Sequence, residues 1–339
     1  NGVGVIVKDT KGNIWVGSDN GLNQFDSKTE TFIRYQHDEE NKESITKAQI
    51  NVLPEDHESN MWIGAGNGGP DKLDRSTGKF KHYVHSEDTT SIGGNLIAGI
   101  LEDKPGDLWV GVWFGGGLNR LNTATGKFRH YLKGLNVGEI RKDHAGVIWI
   151  GTGSGLFKYN RGNDNFALVN FSDGSGAGNE EVRTIVEDDE GNLWVAAPTG
   201  VSRLNKERTV STKYGQESGL NRMVWYLSSF KTLDGQVLFG TNGGYYAIKP
   251  SELKVSPLVP KIELNDFWIN DESIKSSYNA NQESFNSGKE IQLSYNQNIF
   301  SVGFSITDYS PLSRRVIYSL DGYDVSWRQP GSEGRAYYF

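Results

Sequence analysis

Apolar and polar residues recur in the same order along the first 250 residues of the chain. Five tryptophans and one leucine mark successive copies of a unit of roughly 45 residues: Trp15, Trp62, Trp109, Trp149, Trp194 and Leu238. Each copy contains four short apolar or alternating runs, which in the first copy are Val3 to Lys8, Ile14 to Ser18, Gly21 to Phe25 and Thr31 to Tyr35. Four strands per unit predict one propeller blade, so the chain is expected to be all-β with six blades.

A turn with Asp and Gly precedes most anchors, as in Asp143 to Gly151, whereas the second copy has Ser59 in place of glycine. We expect the Asp to accept hydrogen bonds from N–H groups of its own turn and the Gly to supply a positive φ. Asp188 to Asn192 also suggests a calcium loop, but the bidentate Glu that such a loop needs is missing. The turns are therefore interpreted as scaffold.

The repeat stops near Pro250, and Val255 to Pro260 is expected to be an extended linker. We therefore predict a propeller over residues 1–255 and a second domain over residues 256–339. Four further segments of the second domain have strand-like composition: Ile262 to Ile269, Ile291 to Tyr295, Ile299 to Phe304 and Val316 to Leu320. They predict an incomplete immunoglobulin-like β-sandwich.

Composition narrows the possible functions. The chain has 339 residues, 42 glycines, no cysteine and a net charge of −7 with no basic run, so nucleic acid is not an expected partner. No window of 18 apolar residues occurs, and the start at Asn1 suggests a fragment of a longer protein. Thiolate chemistry and disulfides are excluded.

No arrangement of residues typical of catalysis or metal binding is visible. Four of the six histidines occupy repeat-equivalent positions and are interpreted as scaffold: His57, His82, His130 and His144. His37 and His85 lie in polar connections without metal-ligand spacing. The segment is expected to be non-enzymatic and to bind no cofactor, although a pair of carboxylates that meets in space remains open.

The candidate ligand-binding residues are those at which the copies differ. Thirteen residues before their anchors stand Gln49, Glu181 and Trp225, and Arg183 is two residues beyond Glu181. The sharpest anomaly is the longer loop after Trp109, which carries the aromatic pair Trp113 and Phe114; Asn67 and Asp71 are expected in the preceding blade's loop. An exposed Trp-Phe pair suits stacking on a sugar, and packing against a neighbouring loop or subunit is an equal alternative.

The frame Asp-X-X-Gly-X-Ile-Trp-Ile-Gly-Thr-X-X-Gly-Leu, clearest at Asp143 to Leu156, resembles the two-component regulator propeller repeat. The tail, with Tyr295, Tyr318-Ser-Leu-Asp-Gly-Tyr323 and Trp327, resembles the three-tyrosine sandwich domain that follows such propellers. The resemblance implies the periplasmic sensor region of a hybrid two-component protein, attached to the inner membrane through a downstream helix and expected to be a homodimer. It also implies a seven-bladed ring and, in many members, an oligosaccharide ligand.

Three functions remain open from the sequence. The first is a sensor that binds an oligosaccharide and signals across the membrane to control glycan-utilisation genes. The second is a propeller lyase that uses Glu181 and Arg183. The third is a protein-interaction propeller without a small ligand.

Overall fold

The computed structural model describes residues 2–47, 49–169, 171, 180–215, 218–220, 228–253, 261–273, 292–307, 317–324, 327–328, 330 and 334–339. The chain divides into two compact units, Asn1–Pro250 and Ser251–Phe339. The expected linker, Val255 to Pro260, lies outside the described residues. Within the described ranges, no helix has both the length and the apolar character needed to cross a bilayer.

The first unit consists of small antiparallel sheets in which consecutive strands are neighbours. The first three sheets, here called blades 1 to 3, contain β1 (Val3–Lys8), β2 (Ile14–Ser18), β3 (Gly21–Asp26), β4 (Thr31–Tyr35), β5 (Ile50–Val52), β6 (Met61–Ala65), β7 (Pro70–Asp74), β8 (Lys79–His82), β9 (Ile97–Lys104), β10 (Asp107–Val112), β11 (Gly117–Asn122) and β12 (Lys127–Tyr131). The four strands predicted for the first copy are confirmed.

Blades 4 to 6 continue the same arrangement. They contain β13 (Val137–Lys142), β14 (Ile148–Thr152), β15 (Gly155–Asn160), β16 (Asn165–Val169), β17 (Thr184–Glu187), β18 (Leu193–Ala197), β19 (Gly200–Leu204), β20 (Ser211–Tyr214), β21 (Ser229–Lys231), β22 (Val237–Thr241) and β23 (Gly244–Ile248). Blade 6 has three strands among the described residues, and it is also the copy whose anchor is Leu238 where the other five have Trp. The predicted all-β propeller fold is confirmed.

In blades 1, 2, 4 and 5, the Asp before the anchor accepts hydrogen bonds from its own turn, as the sequence predicts. Asp9 Oδ1 accepts hydrogen bonds from the N–H groups of Lys11 and Asn13, at 3.0 and 2.7 Å. Its second oxygen accepts the indole N–H of Trp15 at 2.9 Å, and the same Trp–Asp bond recurs in blades 2, 4 and 5. One carboxylate thus joins the turn to the buried anchor, which explains why Asp and Trp recur six residues apart.

Blade 3 departs from this arrangement. The carboxylate of Asp103 is bound by both terminal nitrogens of Arg161 from the next blade, each at 2.5 Å, and by Lys142 at 3.3 Å. The indole N–H of Trp109 consequently has no acceptor among the described residues, although the side chain is fully buried. The ring instead packs edge-on against three aromatic side chains: Tyr131, Tyr159 and Phe166.

Blades 1 to 4 each pack their tryptophan face against the aliphatic face of the next blade. Trp15 and Leu22 of blade 1, for example, share one core with Met61, Ile63 and Leu73 of blade 2. Equivalent cores join blade 2 to blade 3, blade 3 to blade 4 and blade 4 to blade 5. Since one sheet cannot bury both faces alone, stability arises from these successive contacts.

The two terminal blades each expose one apolar face. In blade 1, Ile6 is 64% exposed and Phe32 48% exposed, whereas the equivalent Ile140 of blade 4 is 7% exposed. In blade 6, Tyr245 is 70% exposed, while Leu22 at the same repeat position in blade 1 is fully buried. The expected number of blades in the complete ring stays a prediction.

The second unit contains one antiparallel sheet among its described residues. Its strands are β24 (Lys261–Ile269), β25 (Glu272–Ser273), β26 (Phe300–Thr307) and β27 (Arg335–Tyr338), in the spatial order β25-β24-β26-β27. A 3-10 helix at Pro250–Glu252 precedes them. The expectation of a strand at Ile291 to Tyr295 is wrong for residues 292–295, because residues 292–294 have no regular secondary structure and Tyr295 lies in a turn. Tyr318 makes an isolated bridge with Arg328 in place of the last expected strand.

Candidate functional site

The loop between β10 and β11 presents the aromatic pair singled out from the sequence. The N–H of Gly116 donates to the carbonyl of Trp113 at 3.2 Å, which closes the turn. Asn136 Oδ1 accepts the N–H of Gly115 at 2.9 Å, and the carbonyl of Gly115 accepts the N–H of Gly134 at 3.0 Å. The loop is therefore held from two sides by the connection to the next blade.

Phe114 stands at the tip of this loop with its ring in solvent. The side chain is 81% exposed, and the backbone has φ of 54°, in the left-handed region. A bulky residue in this conformation costs about 1–2 kcal/mol, and such strain concentrates at functional sites. A bulky residue at a positive φ is an outlier among non-glycine residues.

The ring of Trp113 packs against the exposed ring of Phe114. It is half-buried, and its ring centroid lies 6.4 Å from that of Phe114 with the planes nearly perpendicular. Its indole N–H is shielded from solvent and has no acceptor among the described residues. The pair forms a platform in which Trp113 is the base and Phe114 the exposed surface.

A groove of about 360 Å³ opens beside the platform. Gly115 and Gly116 form one wall, and His85, Asp88 and Lys133 lie on the other sides. His130 at the groove is engaged on both ring nitrogens, by Asn119 Oδ1 at 2.6 Å and by the carbonyl of Thr89 at 3.0 Å. The volume lies in the range of small-molecule sites, and its lining offers hydroxyl, carboxylate, ammonium and backbone groups.

The placement of Asp71 in a loop is wrong. Asp71 lies inside β7, and its fully buried carboxylate accepts hydrogen bonds from the N–H and hydroxyl of Thr46, at 2.9 and 3.0 Å, and binds His82 at 2.6 Å. This hydrogen bond raises the pKa of His82. Asp71 therefore fastens the connection between blades 1 and 2. Asn67 does lie in the loop between β6 and β7 and is exposed.

The other candidates lie in separate blades. Gln49 is exposed just before β5, and its carbonyl accepts the N–H of Gly66 at 2.9 Å. Equivalent bonds from Trp113 to Leu96 and from Gly153 to Asn136 place this repeat position beside the loop after the anchor strand. Glu181 and Arg183 form an ion pair at 2.9 Å before β17. Trp225 lies outside the described residues.

Glu139 was missed by the sequence reasoning. It occupies the repeat position that pairs with the glycine two residues after the anchor, where the preceding blades have Val5, Val52 and Gly99. Burial raises the pKa of its carboxyl to about 7, against the opposing charge of Arg141. The available signal was a charged residue at a position that is apolar or glycine in the three preceding copies. Across the described ranges, no three His, Asp or Glu side chains gather as metal ligands would.

Comparison with known proteins identifies the repeat. Residues 176–199 match the family described as two component regulator propeller. Histidine kinase P4 of Formosa agariphila is 31% identical over 152 residues, which cover 43% of this chain and 11% of that protein. The resemblance inferred from the repeated frame is confirmed, and the chain carries a two-component regulator propeller repeat.

The fold is shared with solved extracellular domains. That of the putative hybrid two-component system BT3049 from B. thetaiotaomicron has a TM-score of 0.67 and 22% identity, over 100% of this chain and 46% of that one. The corresponding domain of BT4673 has a TM-score of 0.62 and 21% identity, with the same coverage. Virginiamycin B lyase from Staphylococcus aureus has a TM-score of 0.54 and 14% identity, over 73% of this chain and 84% of the lyase. The chain thus spans about half the length of the extracellular domains.

Proposed function

We propose that the chain is the ligand-sensing part of an extracytoplasmic receptor of a two-component system, and that the loop Trp113–Gly116 binds a saccharide ring. The observation that carries the proposal is Phe114. Its ring is exposed to solvent and its backbone has a positive φ, in a loop held by hydrogen bonds to the connection to the next blade. The repeat match and the fold shared with two-component extracellular domains support the receptor class. Signalling follows if the ligand prefers one conformation of the receptor.

The chemistry of the site favours an oligosaccharide. A flat aromatic face packs against the C–H face of a sugar, while the adjoining groove supplies polar partners for hydroxyl groups. Residues Gly115 and Gly116 connect the two features without side chains that would separate them. The periplasmic location, the attachment to an inner membrane, the homodimer and the control of glycan-utilisation genes belong to the same proposal.

Thermal unfolding with a panel of oligosaccharides tests the binding platform. A ligand at 100 times its Kd stabilises the folded state by about 2.7 kcal/mol, so a shift of at least several degrees is expected. Phe114→Ala should abolish the shift. Phe230→Ala is the matched control, because Phe230 is 64% exposed in blade 6, and it should retain the shift. An unchanged shift in Phe114→Ala, or no shift with any member of a broad panel, contradicts the proposal.

A lyase is the second candidate, because the chain shares its fold with virginiamycin B lyase. The proposed receptor is non-enzymatic. The two residues predicted for a lyase, Glu181 and Arg183, form an ion pair with each other at 2.9 Å. An unsaturated product that forms from a polysaccharide and disappears in Glu181→Gln would favour the lyase over the receptor.

A further inference from the structure

A line of polar side chains crosses three consecutive blades at their first strands. Glu139 belongs to β13 in blade 4, Thr184 to β17 in blade 5 and Ser229 to β21 in blade 6. Thr184 Oγ1 lies 3.3 Å from Glu139 Oε2 and 2.6 Å from Ser229 Oγ. Ser229 Oγ in turn lies 3.4 Å from the carbonyl oxygen of Ile185. The oxygen atoms form a continuous chain from a carboxyl group to a backbone carbonyl.

The chain is shielded from solvent at its centre. Thr184 is fully buried, and the Glu139 side chain is 13% exposed. Glu139 sits against Gly151 and Val182, where a glycine leaves room for the longer side chain. Water therefore has little access to replace a hydrogen bond that is lost, and the hydroxyl groups must satisfy one another.

The charges around Glu139 are few and mostly engaged. Arg141 on the same strand lies 3.3 Å from Glu139 Oε1 and donates to the carbonyl of Ile185 at 3.1 Å. On β17, Glu187 is bound by His144, and Arg183 just before that strand is paired with Glu181. Strand β14, which pairs with β13, carries no ionisable side chain. Of these charged groups, Glu139 is the one whose carboxyl oxygen contacts the hydroxyl of Thr184.

A hydroxyl group has one proton, so the ends of such a chain decide its direction. When Glu139 is ionised, Thr184 donates to the carboxylate and Ser229 donates to Thr184. When Glu139 is protonated, the carboxyl donates to Thr184, Thr184 donates to Ser229, and Ser229 donates to the carbonyl of Ile185. We propose that Glu139, Thr184 and Ser229 form a proton-sensitive switch that reverses the hydrogen bonds between blades 4, 5 and 6.

Both states are accessible near neutral pH, because burial raises the pKa of Glu139 to about 7. The proton is the only ligand that the switch requires. Its consequence is structural: one protonation event in blade 4 changes the partner of a side chain in blade 6. The inference is independent of whether the loop at Phe114 binds a saccharide.

NMR titration from pH 5 to pH 9 tests the switch, with labelled Glu and Ser side chains. We expect the Cδ of Glu139 and the Cβ of Ser229 to titrate with the same midpoint. Ser202, which is buried in β19 outside the chain, is the internal control and should not respond. In Thr184→Val, which keeps the shape and removes the hydroxyl, Glu139 should still titrate while Ser229 no longer does.

Glu139→Gln provides a second test, since it removes the titrating group while retaining the side-chain volume. The response of Ser229 near neutral pH should vanish in this variant. A Ser229 signal that stays constant in the unmodified protein overturns the switch. So does a Ser229 titration that persists in Thr184→Val or in Glu139→Gln, because the proton would then act by another route.

Discussion

Ser59 shows how strongly the blade frame constrains a single backbone position. It adopts φ of 65° where most other copies have glycine, such as Gly146 at 78°. The left-handed conformation costs an L-residue about 1–2 kcal/mol, and glycine avoids most of that cost. The same turn is therefore built at a higher conformational energy in blade 2 than in blade 4.

We predict that Ser59→Gly raises the free energy of unfolding by up to about 1 kcal/mol, because it relieves this strain. The matched reverse change is Gly146→Ser, which should lower stability by about 1 kcal/mol, since no atom lies within 4 Å of the added Cβ and the backbone alone is affected. Urea unfolding measures both. Equal stabilities for all three proteins would show that the turn tolerates side chains freely.

His82 and Asp71 make one inter-blade connection sensitive to pH. The hydrogen bond that His82 donates to the Asp71 carboxylate raises the pKa of the imidazole, so the charged imidazolium is stabilised in the folded protein. A raised pKa gives stability that is fully present below the unfolded value of about 6.5 and is lost as the pH rises through the folded value. Blade 3 has Asn119 in place of Asp71, beside His130.

We therefore predict that Asp71→Asn lowers the free energy of unfolding by about 1–3 kcal/mol at pH 6, and by less at pH 9. The comparison with the unmodified protein at each pH cancels the contribution of Glu139, which is common to both. Urea unfolding at four pH values between 6 and 9 provides the measurement. A difference in the free energy of unfolding that is constant over this range would mean that the stabilisation by Asp71 does not depend on the charge of His82.

At the scale of the elements, strands at equivalent repeat positions contribute differently to stability, because their neighbours bury them to different extents. Ile6 in β1 and Ile140 in β13 occupy the same repeat position, each opposite the residue that follows the anchor. One is 64% exposed and the other 7% exposed, because blade 3 covers the strand of blade 4. The two strands carry the same residues at the alternate positions that include the isoleucine: Gly4, Ile6 and Lys8 in β1, and Gly138, Ile140 and Lys142 in β13.

Ile140→Ala is expected to cost about 2–5 kcal/mol, since it leaves a cavity between two blades. Ile6→Ala is expected to cost less than about 1 kcal/mol, because an exposed side chain loses little burial. Chemical denaturation of the two variants measures the loss in the free energy of unfolding for each. Comparable losses would indicate that the face of blade 1 is covered in solution.

Across the whole propeller, stability should vary with position in the series of blades. Blades 2 to 5 are covered on both faces, whereas blades 1 and 6 each leave apolar side chains in solvent. In an array stabilised by contacts between nearest neighbours, the end units open more readily.

Hydrogen exchange read by mass spectrometry should therefore show the strongest protection in β5 to β20 and weaker protection in β1 and β21 to β23. The expected difference is at least tenfold in protection factor, corresponding to about 1.4 kcal/mol in opening free energy. The central and terminal blades of one sample are compared directly, so each experiment contains its own control. Uniform protection from β1 to β23 would contradict the nearest-neighbour description.

Much of the propeller was predictable from the sequence, for a local reason. The turn Asp, its own N–H groups and the Trp six residues later interact within one hairpin, so their spacing repeats wherever the hairpin does. The loop at Trp113 and Phe114 was found because it interrupts this regularity. The match to the two-component regulator propeller rests on the same local frame.

The properties that escaped sequence reasoning depend on residues 11 to 45 positions apart that the fold brings together. Asp71 looked like a loop residue until the fold enclosed it with Thr46 and His82. The pKa of the Glu139 carboxyl is raised because packing between blades buries it, and its contact with Thr184 runs from blade 4 to blade 5. Burial and partner choice arise from the packing of strands and whole blades, and the local sequence pattern does not encode them.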